Sequence, residues 1–238
     1  MKKYNTIIFD LDDTLIDNTK ASKYAFKCIL EVLDIPYKED LFYKYLEFDA
    51  AYWHRWEYRQ MEIPEHLYIR ENIEKLRTYL RAKRFAEFFN IKDFDYAIQI
   101  NNIYCNNLGV DIKSIEGSKE ILEYLYNKYR LVIATNGPYN AAIDKINKAG
   151  IKEYFEKIYC SELIGFSKPD PNFWNSVFND LKEKRNDVIL IGDSLTTDIA
   201  SGIKNNFDTV WYNPEEKVNR ELKPTYEINH LLELKRRL

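Results

Sequence analysis

Thr6-Ile7-Ile8-Phe9-Asp10-Leu11-Asp12-Asp13-Thr14-Leu15 stands near the start of a chain of 238 residues. A run of apolar and β-branched residues without polar alternation suits a strand buried on both faces of a parallel sheet. The acids that follow end it. The same grammar recurs further along. Leu131-Val132-Ile133-Ala134 runs into Thr135-Asn136-Gly137, and Val188-Ile189-Leu190-Ile191 runs into Gly192-Asp193-Ser194. Thr209-Val210-Trp211 is a further run, and Ile158-Tyr159-Cys160 a weaker one. Between them the spacing turns helical. Ile121, Leu122, Leu125 and Tyr129 share a face, and so do Ile143, Ile146 and Ala149, with Gly150 placed to end the helix. Asp170-Pro171 reads as an N-cap followed by proline in the first turn, ahead of Phe173, Val177 and Leu181. Strand alternating with helix from about residue 115 onward predicts an α/β fold with a doubly wound parallel sheet.

Between the first strand and the second the periodicity changes. Ala21, Tyr24, Ala25, Cys28, Ile29, Val32 and Leu33 follow the helical rule, and Pro36 stops that helix. Leu41, Tyr45, Phe48 and Tyr52 mark a second helix, and residues near 66–90 and 94–108 two more. A connection this long folds as a unit of its own. We read it as an all-helical insertion over the end of the first strand.

Composition narrows the function. Hydrophobic residues make up 45%, enough for a core, which excludes general disorder. The formal net charge is −3, with both signs interleaved, so neither a nucleic acid nor a membrane surface is an expected partner. No apolar run approaches the roughly 20 residues that cross a bilayer. Ile7-Ile8-Phe9 is broken at once by Asp10, Asp12 and Asp13, which leaves no room for a signal peptide. Cys28, Cys105 and Cys160 are odd in number and far apart, which suits free thiols rather than disulfides or a zinc cluster. A cytoplasmic protein is expected.

Four polar stations, each at the end of a predicted strand, are expected to converge at the carboxyl edge of the sheet, where open α/β folds bind ligands. Asp10 and Asp12 are two apart, and crowded carboxylates need a cation. Oxygen ligands favour Mg²⁺, which also takes a substrate phosphate as a ligand. Thr135-Asn136-Gly137 offers a hydroxyl, an amide and flexible backbone where a strand meets a helix, a place for phosphate oxygens. Lys168, ahead of Pro169, is a point charge able to neutralise phosphate or carboxylate. Gly192-Asp193-Ser194-Leu195-Thr196-Thr197-Asp198 brings a second acidic pair, with glycine allowing a sharp turn. Each stretch alone also fits an acidic turn, a helix start or a surface lysine. Their joint occurrence in this order is what points to phosphoryl chemistry.

These motifs resemble the haloacid dehalogenase superfamily of hydrolases, and the resemblance extends from Asp10 to Asp198. It implies a Rossmann-like catalytic core of residues 1–15 and 113–238, with a helical cap of residues 16–112. Asp12 marks the phosphatase-type members, since the dehalogenases lack that acid. By resemblance Asp10 is the nucleophile that becomes an aspartyl phosphate, and Asp12 the general acid and base. Thr135, with Asn136 alongside, would hold the transferring phosphoryl oxygens. Lys168 would neutralise charge on Asp10 and phosphate. Asp10, Asp193 and the backbone carbonyl of Asp12 would ligate Mg²⁺. Thr14 and Asp198 would support the site, Asp198 by orienting Lys168 or a metal-bound water.

Specificity is expected in the insertion, because the core contacts only phosphate. Tyr52-Trp53-His54-Arg55-Trp56-Glu57-Tyr58-Arg59 is dense in aromatics and cations, and Arg84 stands beside Phe85. A ring stacked on a nucleobase is worth on the order of 1–3 kcal/mol. The same residues equally suit a helix packed on its neighbours with a snorkelling polar face. Trp53, His54, Arg55 and Trp56 are the candidate substrate contacts. Within the superfamily the motifs look most like the bacterial pyrimidine nucleotidases, which implies a small phosphate ester, a nucleoside 5′-monophosphate, as substrate of a monomer or homodimer. A phosphoglycolate or sugar-phosphate phosphatase and a phosphomutase of the same fold stay open. So does, more distantly, a non-catalytic nucleotide-binding module. Hinges are expected near residues 15–18 and 112–116.

Overall fold

The computed structural model describes residues 4–57, 64 and 73–238, and only the backbone of His54, Trp56, Glu57, Ile73 and Glu74. The chain divides into two compact units, Met1–Thr19 with Ile112–Leu238, and Lys20–Asp111.

The described part of the second unit is helical: α1 (Asn18–Val32), which begins two residues before the unit does, α2 (Glu39–Glu57), α3 (Ile73–Phe89) and α4 (Phe94–Asn107). The stripe read from α1 becomes its buried face, with Ala21, Ala25, Phe26 and Ile29 inside. Around them gather Phe42, Tyr45, Phe85, Ile100 and Tyr104. Rings dominate: Phe26 stacks on Tyr45 with centroids 4.7 Å apart, and Tyr45 on Phe85 at 5.7 Å. Such pairs add about 0.5–1.5 kcal/mol each beyond their area. The side chain of Asp93 caps α4 by accepting from the backbone N–H groups of Asp95 and Tyr96.

The first unit is built on six parallel strands, β1 (Thr6–Phe9), β2 (Arg130–Thr135), β3 (Lys157–Cys160), β4 (Val188–Gly192), β5 (Asp208–Tyr212) and β6 (Tyr226–Ile228), in the order 3-2-1-4-5-6. This is the doubly wound arrangement that the alternating runs predict. Five helices accompany them: α5 (Ser118–Tyr126), α6 (Tyr139–Lys148), α7 (Ser161–Ile164), α8 (Pro171–Leu181) and α9 (Ala200–Asn205). The two-residue period of a strand divides each apolar run between two cores. Ile7, Phe9, Leu131, Ile133, Ile189 and Ile191 face α5 and α6 through Ile121, Leu122 and Ile146. Ile8, Val132, Val188 and Leu190 face α8 through Phe173, Trp174 and Val177. Both faces being covered is why the runs are continuous.

The sequence pattern did not announce β6. Its three residues alternate in burial, with only Ile228 buried, and it adds to the outer edge of β5. The segments expected to act as hinges are tied to each other. Asp17 N–H donates to the Lys113 carbonyl at 2.9 Å, and Ile115 N–H to the Leu15 carbonyl at 3.0 Å. The division between units falls beyond this ribbon, at residues 19/20 and 111/112, rather than at 15/16 and 112/113. No disulfide joins Cys28, Cys105 or Cys160. No described helix is long and apolar enough to cross a membrane.

Candidate active site

The strand order reverses on either side of β1, so the carboxyl ends of β1, β2 and β4 lie side by side. Register fixes this: Phe9 pairs with Ile133 on one flank and Ile191 on the other. The next residue, Asp10, donates its N–H to the Ile191 carbonyl at 2.8 Å. Asp10, Thr135 and Asp193 therefore leave the sheet at one edge, a position at which doubly wound sheets bind ligands.

A buried ion network occupies that edge. The Lys168 ammonium, 1% exposed, donates to Asp10 Oδ1 at 2.7 Å and to Asp198 Oδ1 at 2.6 Å. Asp198 Oδ2 accepts the Ser194 N–H at 3.1 Å. Asp198 sits in a single wide π turn, Leu195–Ile199, a form that clusters at functional sites. One carboxylate oxygen from each of Asp10, Asp193 and Asp198 falls within 4.8 Å of the others. With one ammonium among three carboxylates the group stays two charges negative. Burial drives the Asp10 carboxyl well above its ordinary range; Lys168 opposes this, and Asp198, Asp193 and Asp12 reinforce it. Burial also lifts Asp193 to about 7, helped by the charges of Asp198 and Asp13. For Lys168, burial lowers the pKa, but Asp10 and Asp198 outweigh it and hold it above its ordinary value.

Such a group fits a hard divalent cation. Its donors are all oxygens, the ligand type that Mg²⁺ takes, and they gather within 4.8 Å of one another. Both Asp198 oxygens are committed to Lys168 and Ser194, which leaves Asp10 and Asp193 better placed as ligands. Asp193 is held from three sides. Its Oδ1 accepts from Thr14 Oγ1 at 3.2 Å, its own N–H donates to that hydroxyl at 3.1 Å, and its carbonyl accepts from the Trp211 indole at 2.8 Å.

Two stations differ from the sequence expectation. Gly192 was expected to allow a sharp turn; its need is space, since a Cβ there would stand 2.2 Å from Asp198 Oδ2. Asn136 was expected beside the phosphoryl oxygens. Its side-chain amide instead clamps the Lys168 backbone, donating to the carbonyl at 3.1 Å and accepting the N–H at 2.8 Å. Thr135 Oγ1 accepts the Gly137 N–H at 3.0 Å. Asp12 stands apart from the Asp10 network: its Oδ1 accepts from the ammonium of Lys145, a residue the sequence reading missed. The signal was present, because Lys145 falls beside Ala142 and Ile146 on the buried face of α6.

In the helical unit, Tyr52 is buried and donates to the Leu80 carbonyl at 2.7 Å. Arg55 pairs with Glu87 at 2.7 Å, and its guanidinium lies over the Tyr52 ring. Trp53 is half-buried, edge-on to Tyr52. Arg84 is buried, paired with Asp49 at 2.6 Å and stacked 4.4 Å from the Phe85 ring centroid. Packing accounts for these contacts. The side chains of His54 and Trp56, and all of Tyr58 and Arg59, lie outside the described residues.

Comparison with known proteins gives a consistent set. A family model described as haloacid dehalogenase-like hydrolase matches residues 7–212. The pyrimidine 5′-nucleotidase PynA of Streptococcus pneumoniae (strain ATCC BAA-255 / R6) is 30% identical over 234 residues, 94% of this chain and 91% of that protein. A glyceraldehyde 3-phosphate phosphatase of Pyrococcus furiosus is 26% identical over 89% of this chain and 82% of its own. Among solved structures, YfnB of Bacillus subtilis, crystallised with magnesium bound, superposes with a TM-score of 0.83 at 29% identity, covering 99% of this chain and 98% of that one.

Proposed function

The chain belongs to the haloacid dehalogenase-like hydrolase family, and from that premise we propose that it is a Mg²⁺-dependent phosphomonoester hydrolase working through an aspartyl phosphate on Asp10. The observation that carries the reading is the under-neutralised group of Asp10, Asp193 and Asp198 around Lys168 at the sheet edge. Asp10, Asp193 and the Asp12 backbone carbonyl would hold the ion, whose charge screens the phosphoryl oxygens and keeps the carboxylates ionised.

The chain's own groups supply the rest. A carboxylate oxygen of Asp10 forms a bond to phosphorus while the bond from phosphorus to the ester oxygen breaks, and Asp12 gives that departing oxygen its proton. Water then attacks the phosphorus of the intermediate, losing its proton to Asp12, and the bond to Asp10 breaks to release phosphate. Lys168, fixed by Asp198 and by the Asn136 clamp on its backbone, neutralises charge on Asp10 and the phosphoryl group. Thr135 is the partner for phosphoryl oxygens. Helices α1–α4 serve as the cap that selects the leaving group and excludes water.

For substrate we infer a nucleoside 5′-monophosphate, with support from PynA at 30% identity over nearly the whole chain. The second reading is a sugar phosphate, which the name of the Pyrococcus relative favours. Hydrolysis of an aryl phosphate with Mg²⁺, with and without chelator, tests the mechanism. Activity should vanish with chelator and in Asp10→Asn, and the parent, quenched in acid, should carry one phosphate on Asp10. Activity that survives both treatments overturns the reading. A panel of nucleoside, sugar and glycolate phosphates then separates the two substrate classes by kcat/KM.

A further inference from the structure

Lys145 is a charged side chain in a place built for apolar ones. It is 5% exposed, on the face of α6 that carries Ala142 and Ile146 into the core. An ammonium is expensive to bury unless oxygens surround it. Here two do: Nζ donates to Asp12 Oδ1 and, at 2.7 Å, to Asn18 Oδ1. This cation is not part of the Asp10 network, whose ammonium is Lys168; Lys145 pairs with Asp12 instead. Packing would be as well served by methionine. What the ammonium does is fix one oxygen of Asp12 and thereby aim the other. A Cβ placed on Gly137 would lie 3.5 Å from Asp12 Oδ2 and 3.3 Å from Thr135 Oγ1, so the unanchored oxygen faces the end of β2 beside the Thr135 hydroxyl. Among the described residues Oδ2 has no hydrogen-bond donor.

We infer that Lys145 is a positioning residue for proton transfer: it pins Asp12 through Oδ1 so that Oδ2 meets the ester oxygen leaving a phosphoryl group bound at Thr135. The same ammonium ties that carboxylate to Asn18, at the start of α1, which fixes the loop of residues 12–18 in one conformation. This inference rests on the reading of Asp12 as the acid and base. An unpinned carboxylate spreads over other rotamers and is seldom within reach, and positioned proton transfer is worth roughly 10²–10⁴-fold in rate.

Leaving-group dependence provides the test. The Mg²⁺-loaded parent, Lys145→Met, Lys145→Arg and Asp12→Ala are assayed on 2,4-dinitrophenyl phosphate, whose leaving group needs no proton, and on an alkyl phosphate. kcat/KM reports events up to the first phosphoryl transfer. In Lys145→Met it should fall about 10²-fold on the alkyl ester and less than about 3-fold on the aryl ester. kcat on the aryl ester should fall as well, because hydrolysis of the intermediate still requires Asp12. Lys145→Arg, which restores a donor, should recover most of the loss. Asp12→Ala/Lys145→Met should be no worse than Asp12→Ala, since removing the pinned group removes the need for the pin. Equal loss on both esters, no loss on either, or additive loss in the double variant overturns the role of Lys145. If Asp12→Ala itself fails to discriminate the two esters, the acid–base reading of Asp12 falls first. Should Lys145→Met not fold, Lys145→Ala, which likewise leaves Asp12 Oδ1 without a donor, carries the same comparison.

Discussion

Single residues at the sheet edge are set by what they must keep apart as much as by what they hold. Thr14 is fully buried, and its hydroxyl both receives and donates a hydrogen bond at Asp193. Thr14→Val keeps the shape and removes the hydroxyl. Outer partners of metal ligands are worth 10–100-fold in metal affinity, so the Mg²⁺ dissociation constant, read by titration calorimetry, should rise about tenfold while the fold persists. An unchanged constant would show that the Thr14 hydroxyl does not support Mg²⁺ binding through Asp193. Gly192→Ala presses a methyl group onto the Asp198 carboxylate. Asp198 must then swing away from Lys168, and activity should drop at least 10²-fold with a lowered melting point. Asp10, Asp12, Thr135 and Asp193 can be singled out in the sequence because each follows an apolar strand run, whereas Lys168 stands beyond β3 and α7 and is marked only by its place ahead of Pro169 and the Asp170 cap. Lys145 is not marked, because a lysine in a helix reads as surface unless its neighbours are weighed. Nor is the clamp of Asn136 on Lys168, because contacts across 32 residues leave no local trace.

Elements were legible where two signals agreed. Asp170-Pro171 announces α8 by both cap and first-turn proline, and the Asp170 side chain does accept from the Asn172 N–H at 2.7 Å. Its removal in Asp170→Ala should cost about 1 kcal/mol, or about 2–4 °C in melting temperature for a chain of this size. The helix also starts directly after Lys168 and Pro169. A loss of activity much larger than the loss of stability would mean that the cap sets the position of the lysine as well as the start of the helix. The five runs read as strands all appear, since β-branched residues buried on two faces permit little else. By contrast, β6 has three residues, one of them exposed, and draws its place from β5 rather than from its own pattern. The π turn at Leu195–Ile199 is equally silent in sequence. It exists because Asp198 must return to Gly192 and Lys168, and only tertiary contact tells the chain to widen there.

At the scale of the whole molecule, charge and stability are linked through one unit. Asp10, Asp193 and Asp198 all belong to the unit of Met1–Thr19 and Ile112–Leu238, and none to Lys20–Asp111. Without a dication their mutual repulsion and burial oppose folding of the sheet unit, while the aromatic core of the helical unit carries no such load. An ion that binds only the folded site stabilises it by about 2.7 kcal/mol at a hundred times its dissociation constant. Magnesium alone, with no substrate, should therefore raise the melting temperature by about 5–10 °C. Amide exchange should slow over residues 10–14 and 192–198, and through the strands that bear them. Amides of α2 to α4 should not change, because their hydrogen bonds break without disturbing the carboxylates. Asp193→Asn removes one negative charge, which relieves the repulsion but weakens the site. Its melting point without magnesium should match or exceed that of the parent, and its response to magnesium should shrink. This crossing of the two effects separates a metal site from an acidic cluster that salt merely screens. Screening predicts equal gains for sodium and magnesium at matched ionic strength, in parent and variant alike. A shift spread evenly over both units would likewise count against a site confined to the carboxyl edge of the sheet.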